Sequence, residues 1–223
     1  MIMAGTDKQK PEGEISRSAR PNVFIAVKVE SPDILNAMAS VQEDLVKLEP
    51  QLQELLVPVA QAHLTLLVFR VEEEQLEKAK EIFEKIIQEK VAMNICNEDS
   101  FDVEFEGVGS FDEKVVFVVP VSGCEILEHL NKVLYAGFTE FGFVCEPMFT
   151  PHVTLVKTKF KDGKEIGEIP SGCFEQFKTK YFGVQTIRSV QLLSMKKPKT
   201  DEGYFFCEQE LNFLDIMEKK EAV

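Results

Sequence analysis

The sequence has few of the residues that build metal centres or disulfide frameworks. It contains three histidines, no tryptophan and five scattered cysteines, Cys96, Cys124, Cys145, Cys173 and Cys207. An odd number of cysteines without Cys-x-x-Cys spacing argues against a disulfide framework, and the scarcity of histidine argues against a zinc site. We therefore expect reduced cysteines, an intracellular protein (cytoplasmic, nuclear or both), and neither a metal nor another cofactor.

The sequence also lacks long apolar runs and an excess of positive charge. No run approaches the roughly 18 residues that indicate a membrane span, and the N-terminus has no pattern typical of a secretory signal. The formal net charge is −13. Proteins that hold long nucleic acids usually carry basic faces, because binding depends on phosphate neutralisation. The charge therefore favours a short nucleotide ligand in a local pocket, and it does not exclude contact with an RNA end. Because no long apolar run is present, we expect no membrane partner.

Apolar periodicity divides the chain into three parts. Residues 1–20 are polar and lack periodicity, which is typical of a disordered leader. Residues 21–211 alternate strand-like and helical patterns, and are enough for one large domain or two small ones. Residues 212–223 contain apolar positions before a charged end. They favour a short terminal helix whose apolar side packs on the domain.

The first half of the chain shows the order strand, helix, strand, helix, strand, strand, and the second half repeats it more loosely. A Ser-Pro-Asp cap at residues 31–33 begins the first helix. The predicted strands cover residues 23–27, 63–69, 101–105, 115–119, 151–156, 184–195 and 204–211. The predicted helices cover residues 34–48, 72–89, 126–141 and 174–177. We predict connections at residues 107–110, which contain two glycines, and at residues 160–168, a polar loop.

Two predicted strands open with the same pattern, His-apolar-Thr-apolar. The strings are His63-Leu64-Thr65-Leu66 and His152-Val153-Thr154-Leu155. Because side chains alternate between the faces of a strand, each histidine and its threonine point the same way, and the apolar residues point into a core. One such string often arises by chance, but this pair uses two of the three histidines. The repetition predicts two similar lobes that face each other across a cleft.

Two facing pairs of imidazole and hydroxyl suit the hydrolysis of a phosphate ester. One neutral histidine can accept a proton from the attacking group, and one protonated histidine can donate to the leaving oxygen. The threonine hydroxyls can donate to the non-bridging phosphate oxygens. We therefore predict His63 and His152 as catalytic residues and Thr65 and Thr154 as phosphate ligands, with no metal required. His129 lies in a helical pattern and is predicted to be half-buried or at the surface.

The paired strings resemble the signature of the two-histidine (2H) phosphoesterase superfamily, which includes RNA-ligase-like cyclic phosphodiesterases and 2′,5′-phosphodiesterases. Four further strings resemble the central domain of the larger A-kinase anchoring proteins, and a related domain ends the leukocyte receptor cluster protein. These strings are Pro-Asn-Val-Phe at 21–24, Gly-Val-Gly-Ser-Phe at 107–111, Ser-Met-Lys-Lys at 194–197 and Gly-Tyr-Phe-Phe-Cys-Glu at 203–208. The resemblance covers about residues 20–211.

The resemblance implies an α+β fold that is bilobal and pseudo-symmetric, with two mainly antiparallel sheets around a central groove that the paired strings line. It implies metal-independent hydrolysis of 2′,3′-cyclic phosphate RNA ends or 2′,5′-linked oligonucleotides. The alternative is a non-catalytic module that binds an AMP-like nucleoside monophosphate or serves as an anchor. In the anchoring proteins a separate amphipathic segment binds the kinase regulatory subunit. We identify no such segment in this sequence, and we expect a monomer.

Other residues are candidates for substrate binding, each with a structural alternative. Phe24 can stack on a base or belong to the core. Lys157 and Lys196 can steer a phosphate or be ordinary surface lysines. Tyr204 can present its hydroxyl at the groove or pack inside. The 160–168 loop can cover the groove or be a solvated loop.

Overall fold

The computed structural model describes residues 20–91, 99–147, 149–161, 164–170 and 172–221. The predicted leader, apart from Arg20, lies outside these residues. Within them the chain forms ten strands and four α-helices. The strands are β1 (Val23–Lys28), β2 (His63–Phe69), β3 (Phe101–Phe111), β4 (Val115–Pro120), β5 (Val153–Lys157), β6 (Lys159–Lys161), β7 (Lys164–Ile166), β8 (Tyr181–Ile187), β9 (Ser189–Ser194) and β10 (Phe206–Asn212). The helices are α1 (Pro32–Leu48), α2 (Leu76–Ile86), α3 (Cys124–Glu140) and α4 (Phe213–Glu221).

The strands form two four-stranded sheets in which every pairing is antiparallel. The first sheet has the order β10-β9-β1-β2 and the second has the order β5-β4-β3-β8, while β6 and β7 form a separate hairpin. β2 and β5, which carry the two motifs, are edge strands of their sheets, and they lie next to each other. This arrangement confirms the predicted α+β fold.

One apolar core joins both sheets and the helices. α1 buries Ile34, Met38 and Leu45 at helical spacing. α2 and α3 pack against each other, and α3 also packs against β2, where the buried ring of Phe69 lies 4.5 Å from that of Phe138 between centroids. Because strands of both sheets contribute to this single cluster, the two motif strands are held in a fixed relation. No helix among the described residues is both long and apolar enough to cross a bilayer.

Residues 107–110 belong to a strand, and the prediction that they form a connection is wrong. β3 runs through them without a break. Its pairing with β4 shifts between Phe105 and Val108. Gly107 lies in this shift with a φ of 84°, which glycine adopts without steric cost. The glycine therefore marks a β-bulge, where a strand bends and continues, and β3 extends to Phe111.

Residues 184–195 form two strands in different sheets, and the prediction of a single strand is wrong. After Arg188 the chain changes sheet, because β8 pairs with β3 whereas β9 pairs with β1 and β10. Both strands are largely buried, so the apolar pattern continues across the break. The C-terminal strands β9 and β10 thus complete the first sheet, while β3 and β4 belong to the second. The two lobes are interleaved in the sequence and are not its two halves.

Three local predictions have mixed outcomes. Ser31 precedes α1 as predicted, but its side chain makes no capping hydrogen bond. The side-chain carbonyl oxygen of Gln185 on β8 instead accepts hydrogen bonds from the backbone N–H groups of Glu30 and Ser31, with N to O distances of 2.7 and 2.9 Å. The polar loop at 160–168 is partly a hairpin, β6–β7. The short terminal helix is confirmed as α4, which buries Phe213 and Ile216.

Candidate active site

The two His-x-Thr motifs line the same cavity. His63 is the first residue of β2, and His152 immediately precedes β5. In both motifs the histidine and threonine are half-buried and the apolar residues beside them are buried, which is the alternation that a strand imposes. His63, Thr65, His152 and Thr154 all line a cavity of about 860 Å³. Imidazole and hydroxyl groups from two different sheets therefore face one space.

Each imidazole is held by a backbone carbonyl two residues before it. Nδ1 of His63 lies 2.6 Å from the carbonyl oxygen of Gln61, and Nδ1 of His152 lies 2.8 Å from that of Thr150. A carbonyl oxygen only accepts hydrogen bonds, so in both rings Nδ1 carries the hydrogen. The neutral rings therefore keep the lone pair on Nε2. The same atom is available for proton transfer in both motifs.

Each histidine ring also packs against a pair of phenylalanine rings that contact each other. The His63 ring lies 5.1 Å from Phe24 and 5.3 Å from Phe205 between ring centroids. The His152 ring lies 5.1 Å from Phe111 and 5.2 Å from Phe117. These aromatic contacts restrict rotation of the imidazoles and reduce their contact with water. The two lobes thus repeat the surroundings of the histidine as well as the motif.

These surroundings lower the pKa of both histidines. The His63 ring is partly accessible from the cavity, but protein atoms surround most of it, and this burial lowers its pKa to about 4. The Gln61 carbonyl opposes the change, and the charges of His152, Lys199 and Lys157 add to it. Burial, and then the charge of Lys157, lowers the pKa of His152. Both rings are therefore neutral near pH 7 in the free protein.

The low pKa of His63 predicts a loss of stability in acid. An unfolded chain protonates this histidine at about pH 6.5, whereas the folded protein protonates it only near pH 4. Protons therefore bind preferentially to the unfolded state as the pH falls through this interval, and the free energy of unfolding decreases by at most about 3 kcal/mol. The full stability is present above about pH 6.5.

The measurement is urea unfolding of the wild type and of His63→Gln at pH 7 and pH 4.5. Glutamine does not titrate, so the variant is expected to lose less stability than the wild type between the two pH values. All other titrating groups are common to both proteins and cancel in the difference. An equal loss in both proteins would show that His63 is not buried in its neutral form.

The four residues predicted as possible substrate ligands occupy different places. Lys157 is exposed and lines the cavity. Phe24 also lines it but is only 2% exposed and packs beneath His63, so its ring has almost no free face for a base. Lys196 is exposed and is not among the lining residues. Tyr204 is buried, and its hydroxyl donates to the side-chain carbonyl of Gln191 at 3.1 Å. Tyr204 is not among the residues that line the cavity, and its hydroxyl is already engaged by Gln191.

Several residues at the cavity were not predicted. Phe205, Phe111 and Phe149 are half-buried and line it. The ammonium group of Lys199 lies 4.5 Å from the centroid of the Phe205 ring, and its charge acts on His63. Phe111 and Phe205 belong to strings that carry the family resemblance, but nothing local in the sequence connects them with the histidines. None of the described residues of the β6–β7 hairpin lines the cavity.

The remaining histidine lies outside the cavity. His129 is on α3 and half-buried, as predicted. Over the described ranges, no group of three or more His, Cys, Asp or Glu side chains is arranged to hold a metal ion.

The fold is that of the 2H phosphoesterases, as the resemblance of the paired strings implied. The crystal structure of Escherichia coli LigT complexed with 3′-AMP is similar with a TM-score of 0.55 and 15% identity, over 87% of this chain and 98% of that chain. The crystal structure of TT0787 of Thermus thermophilus is similar with a TM-score of 0.53 and 19% identity, over 86% and 97% of the two chains. At these identities the similarity shows the fold alone.

The chain belongs to the AKAP7 2′5′ RNA ligase-like domain family, which matches residues 21–213. Human A-kinase anchor protein 7 isoform gamma is 24% identical to it over 225 residues. That alignment covers 92% of this chain and 61% of the human protein, so the chain spans about three fifths of the length of that relative. The family confirms the branch that the flanking strings indicated.

Proposed function

We propose that the protein is a metal-independent phosphodiesterase that hydrolyses 2′,3′-cyclic phosphate RNA ends or 2′,5′-linked oligonucleotides. One observation carries the proposal: two histidines, each held at Nδ1 by a backbone carbonyl, line one cavity together with two threonines. Displacement at phosphorus needs a base for the attacking group and an acid for the leaving group. Two imidazoles that keep Nε2 for proton transfer meet this need.

In the proposed mechanism the two Nε2 atoms have opposite roles. One accepts a proton from the attacking water as the new P–O bond forms, and the other donates a proton to the ribose oxygen as its bond to phosphorus breaks. The orientation of the bound substrate decides which histidine takes which role, because both rings are neutral near pH 7 in the free protein. A bound phosphate anion favours the protonated form of the histidine that acts as the acid.

The threonines and Lys157 are the proposed phosphate ligands. Thr65 and Thr154 share a strand face with their histidines, so their hydroxyls can donate to the non-bridging oxygens. Lys157 lines the cavity, and its charge lowers the pKa of both histidines. A positive charge that acts on both imidazoles also attracts a phosphate between them. Lys196, which lies outside the lining, is not part of this proposal.

The cavity walls support a nucleotide as the ligand. Half-buried aromatic rings of Phe205, Phe111 and Phe149 line it, and a base can stack on such faces with little dependence on its sequence. LigT, which shares the fold, has been crystallised with 3′-AMP and with NADP+. A cavity of about 860 Å³ is also within the range of small-molecule sites. These features favour a short nucleotide over a long nucleic acid.

The test is hydrolysis by the full chain of oligoribonucleotides that end in a 2′,3′-cyclic phosphate, and of 2′,5′-oligoadenylate, with EDTA present. The matched control substrates are the same oligonucleotide with an open 3′-phosphate and an oligoadenylate with 3′,5′ linkages. We expect turnover of at least one test substrate, unaffected by EDTA, and none of the controls. Failure to turn over either test substrate would overturn the proposal.

The second candidate is a module that binds an AMP-like nucleotide without turnover, or that acts as an anchor. It is favoured by the relative, which is an A-kinase anchor protein. Calorimetric titration with AMP distinguishes the two candidates. AMP binding without turnover of any test substrate supports the binding module. A kinase regulatory subunit as partner is tested by a pull-down with and without residues 212–223, and an unchanged result would exclude that tail as the contact.

A further inference from the structure

We propose that Gly109 and Phe117 are positioning residues that keep the space above Thr154 open and set the orientation of His152. Gly109 on β3, Phe117 on β4 and Thr154 on β5 are direct partners across three adjacent strands. Direct partners point to the same face of a sheet, so the bulky Phe117 side chain is the immediate neighbour of the predicted phosphate ligand. The Phe117 ring therefore has to tilt either towards Gly109 or towards Thr154.

Because position 109 has no side chain, the Phe117 ring tilts towards Gly109. A Cβ atom added to Gly109 would lie 2.9 Å from both Cε2 and Cζ of Phe117. Carbon atoms that are not bonded do not approach so closely without strain, so the outer end of the ring rests on the bare backbone of Gly109. The φ of Gly109 lies outside the left-handed region, so the need for glycine here comes from the ring and not from the backbone.

In the first lobe the phosphate position is open because the partner of the motif threonine is a small residue. The direct partner of Thr65 is Ala26, which is fully buried. The two threonines thus have different neighbours, alanine in one lobe and phenylalanine in the other. A phenylalanine is compatible with an open phosphate position only if it can tilt away from the threonine. Gly109 provides that freedom, and this is the physical reason for pairing the two residues.

The Phe117 ring also supports the second histidine. Its centroid lies 5.2 Å from that of His152 and 4.2 Å from that of Phe111. Phe111 in turn contacts His152 edge-on, at 5.1 Å. Phe117 is only 7% exposed, so other protein atoms surround most of its ring and it has little room to move. A side chain at position 109 would therefore push the ring towards Thr154 and His152.

The inference rests on the proposed function for its kinetic test but not for its spectroscopic one. In Gly109→Ala we expect kcat to fall about 10- to 100-fold, because small displacements of reacting groups have such effects. We expect a smaller change in KM. The His152 resonances in NMR titrations of the ligand-free protein should shift, and the pKa of this ring should change. The resonances of His129 should not shift. The double variant Gly109→Ala/Phe117→Leu should regain part of the activity that Gly109→Ala loses, because leucine leaves room for the added methyl group but lacks the ring contact with His152.

Gly137→Ala is the matched control. Gly137 lies on α3, where an added Cβ would overlap the end of the Ile86 side chain, away from the cavity lining. It should change stability without changing the His152 titration. If Gly109→Ala leaves the His152 titration unchanged, the inference is wrong. It is also wrong if the double variant Gly109→Ala/Phe117→Leu regains none of the activity that Gly109→Ala loses. If the wild type turns over neither substrate, the proposed function fails, and the NMR comparison alone decides this inference.

Discussion

Replacing His63 or His152 with alanine is expected to lower kcat on the hydrolysed phosphodiester by about 10²–10⁴-fold in each case, which is the usual contribution of one general acid or base. Each substitution removes the one imidazole Nε2 that its motif contributes to the cavity. The measurement is kcat and KM for each variant with EDTA present. Because both proton transfers belong to one displacement, the double variant should be little slower than the slower single variant.

His129→Ala is the matched control for these substitutions. His129 is half-buried on α3 and outside the cavity lining, so its removal should leave kcat unchanged. Nucleotide binding by His63→Ala and His152→Ala, measured by calorimetry with AMP, should persist within about tenfold, since threonine and lysine ligands remain. A single histidine variant that retains wild-type turnover would rule out the two-histidine mechanism.

Replacing Thr65 or Thr154 with valine is expected to lower kcat by about 10²–10³-fold, the usual effect of removing one donor to a developing oxyanion. Valine keeps the branched shape and the strand preference, so packing around the histidines should be conserved. The hydroxyl is the only group lost. The loss should appear in kcat more than in KM if the hydrogen bond strengthens as negative charge accumulates on the phosphate oxygens.

Thr186→Val is a suitable control for the threonine variants. Thr186 on β8 donates its hydroxyl to Asp102 at 2.6 Å and does not line the active-site cavity. It tests whether loss of a threonine hydroxyl on a strand affects turnover by itself. Equal effects of Thr65→Val and Thr186→Val would mean that the motif threonines have a structural role and do not bind phosphate.

The local pattern predicted most elements because strands and helices bury their residues with characteristic periods. The strand predicted at 63–69 has the bounds of β2, and the helix predicted at 126–141 is α3, within two residues at each end. The wrong predictions concern segments where a strand shifts its pairing register or the chain passes to the other sheet. Gly107 marks a bulge and not a break, and the change of sheet at Arg188 leaves no local signal, since buried strands continue on both sides.

The sequence by itself determined which side chains each half of the candidate site presents. A period of two places His63 with Thr65, and His152 with Thr154, on one strand face, whatever the rest of the chain does. The paired strings also identified the class. Each of these properties depends on residues a few positions apart, so it can be recognised in a single sequence.

Only the tertiary structure decided how the half-sites become one site. It brought the edge strands β2 and β5 together, interleaved the sheets, and placed Phe205 beside His63 and Phe117 beside His152. The low pKa of His63 arises in the same way, from burial by residues distant in the sequence. Such contacts result from packing between distant segments. Local periodicity cannot predict them, because many pairings of buried strands satisfy the same apolar pattern.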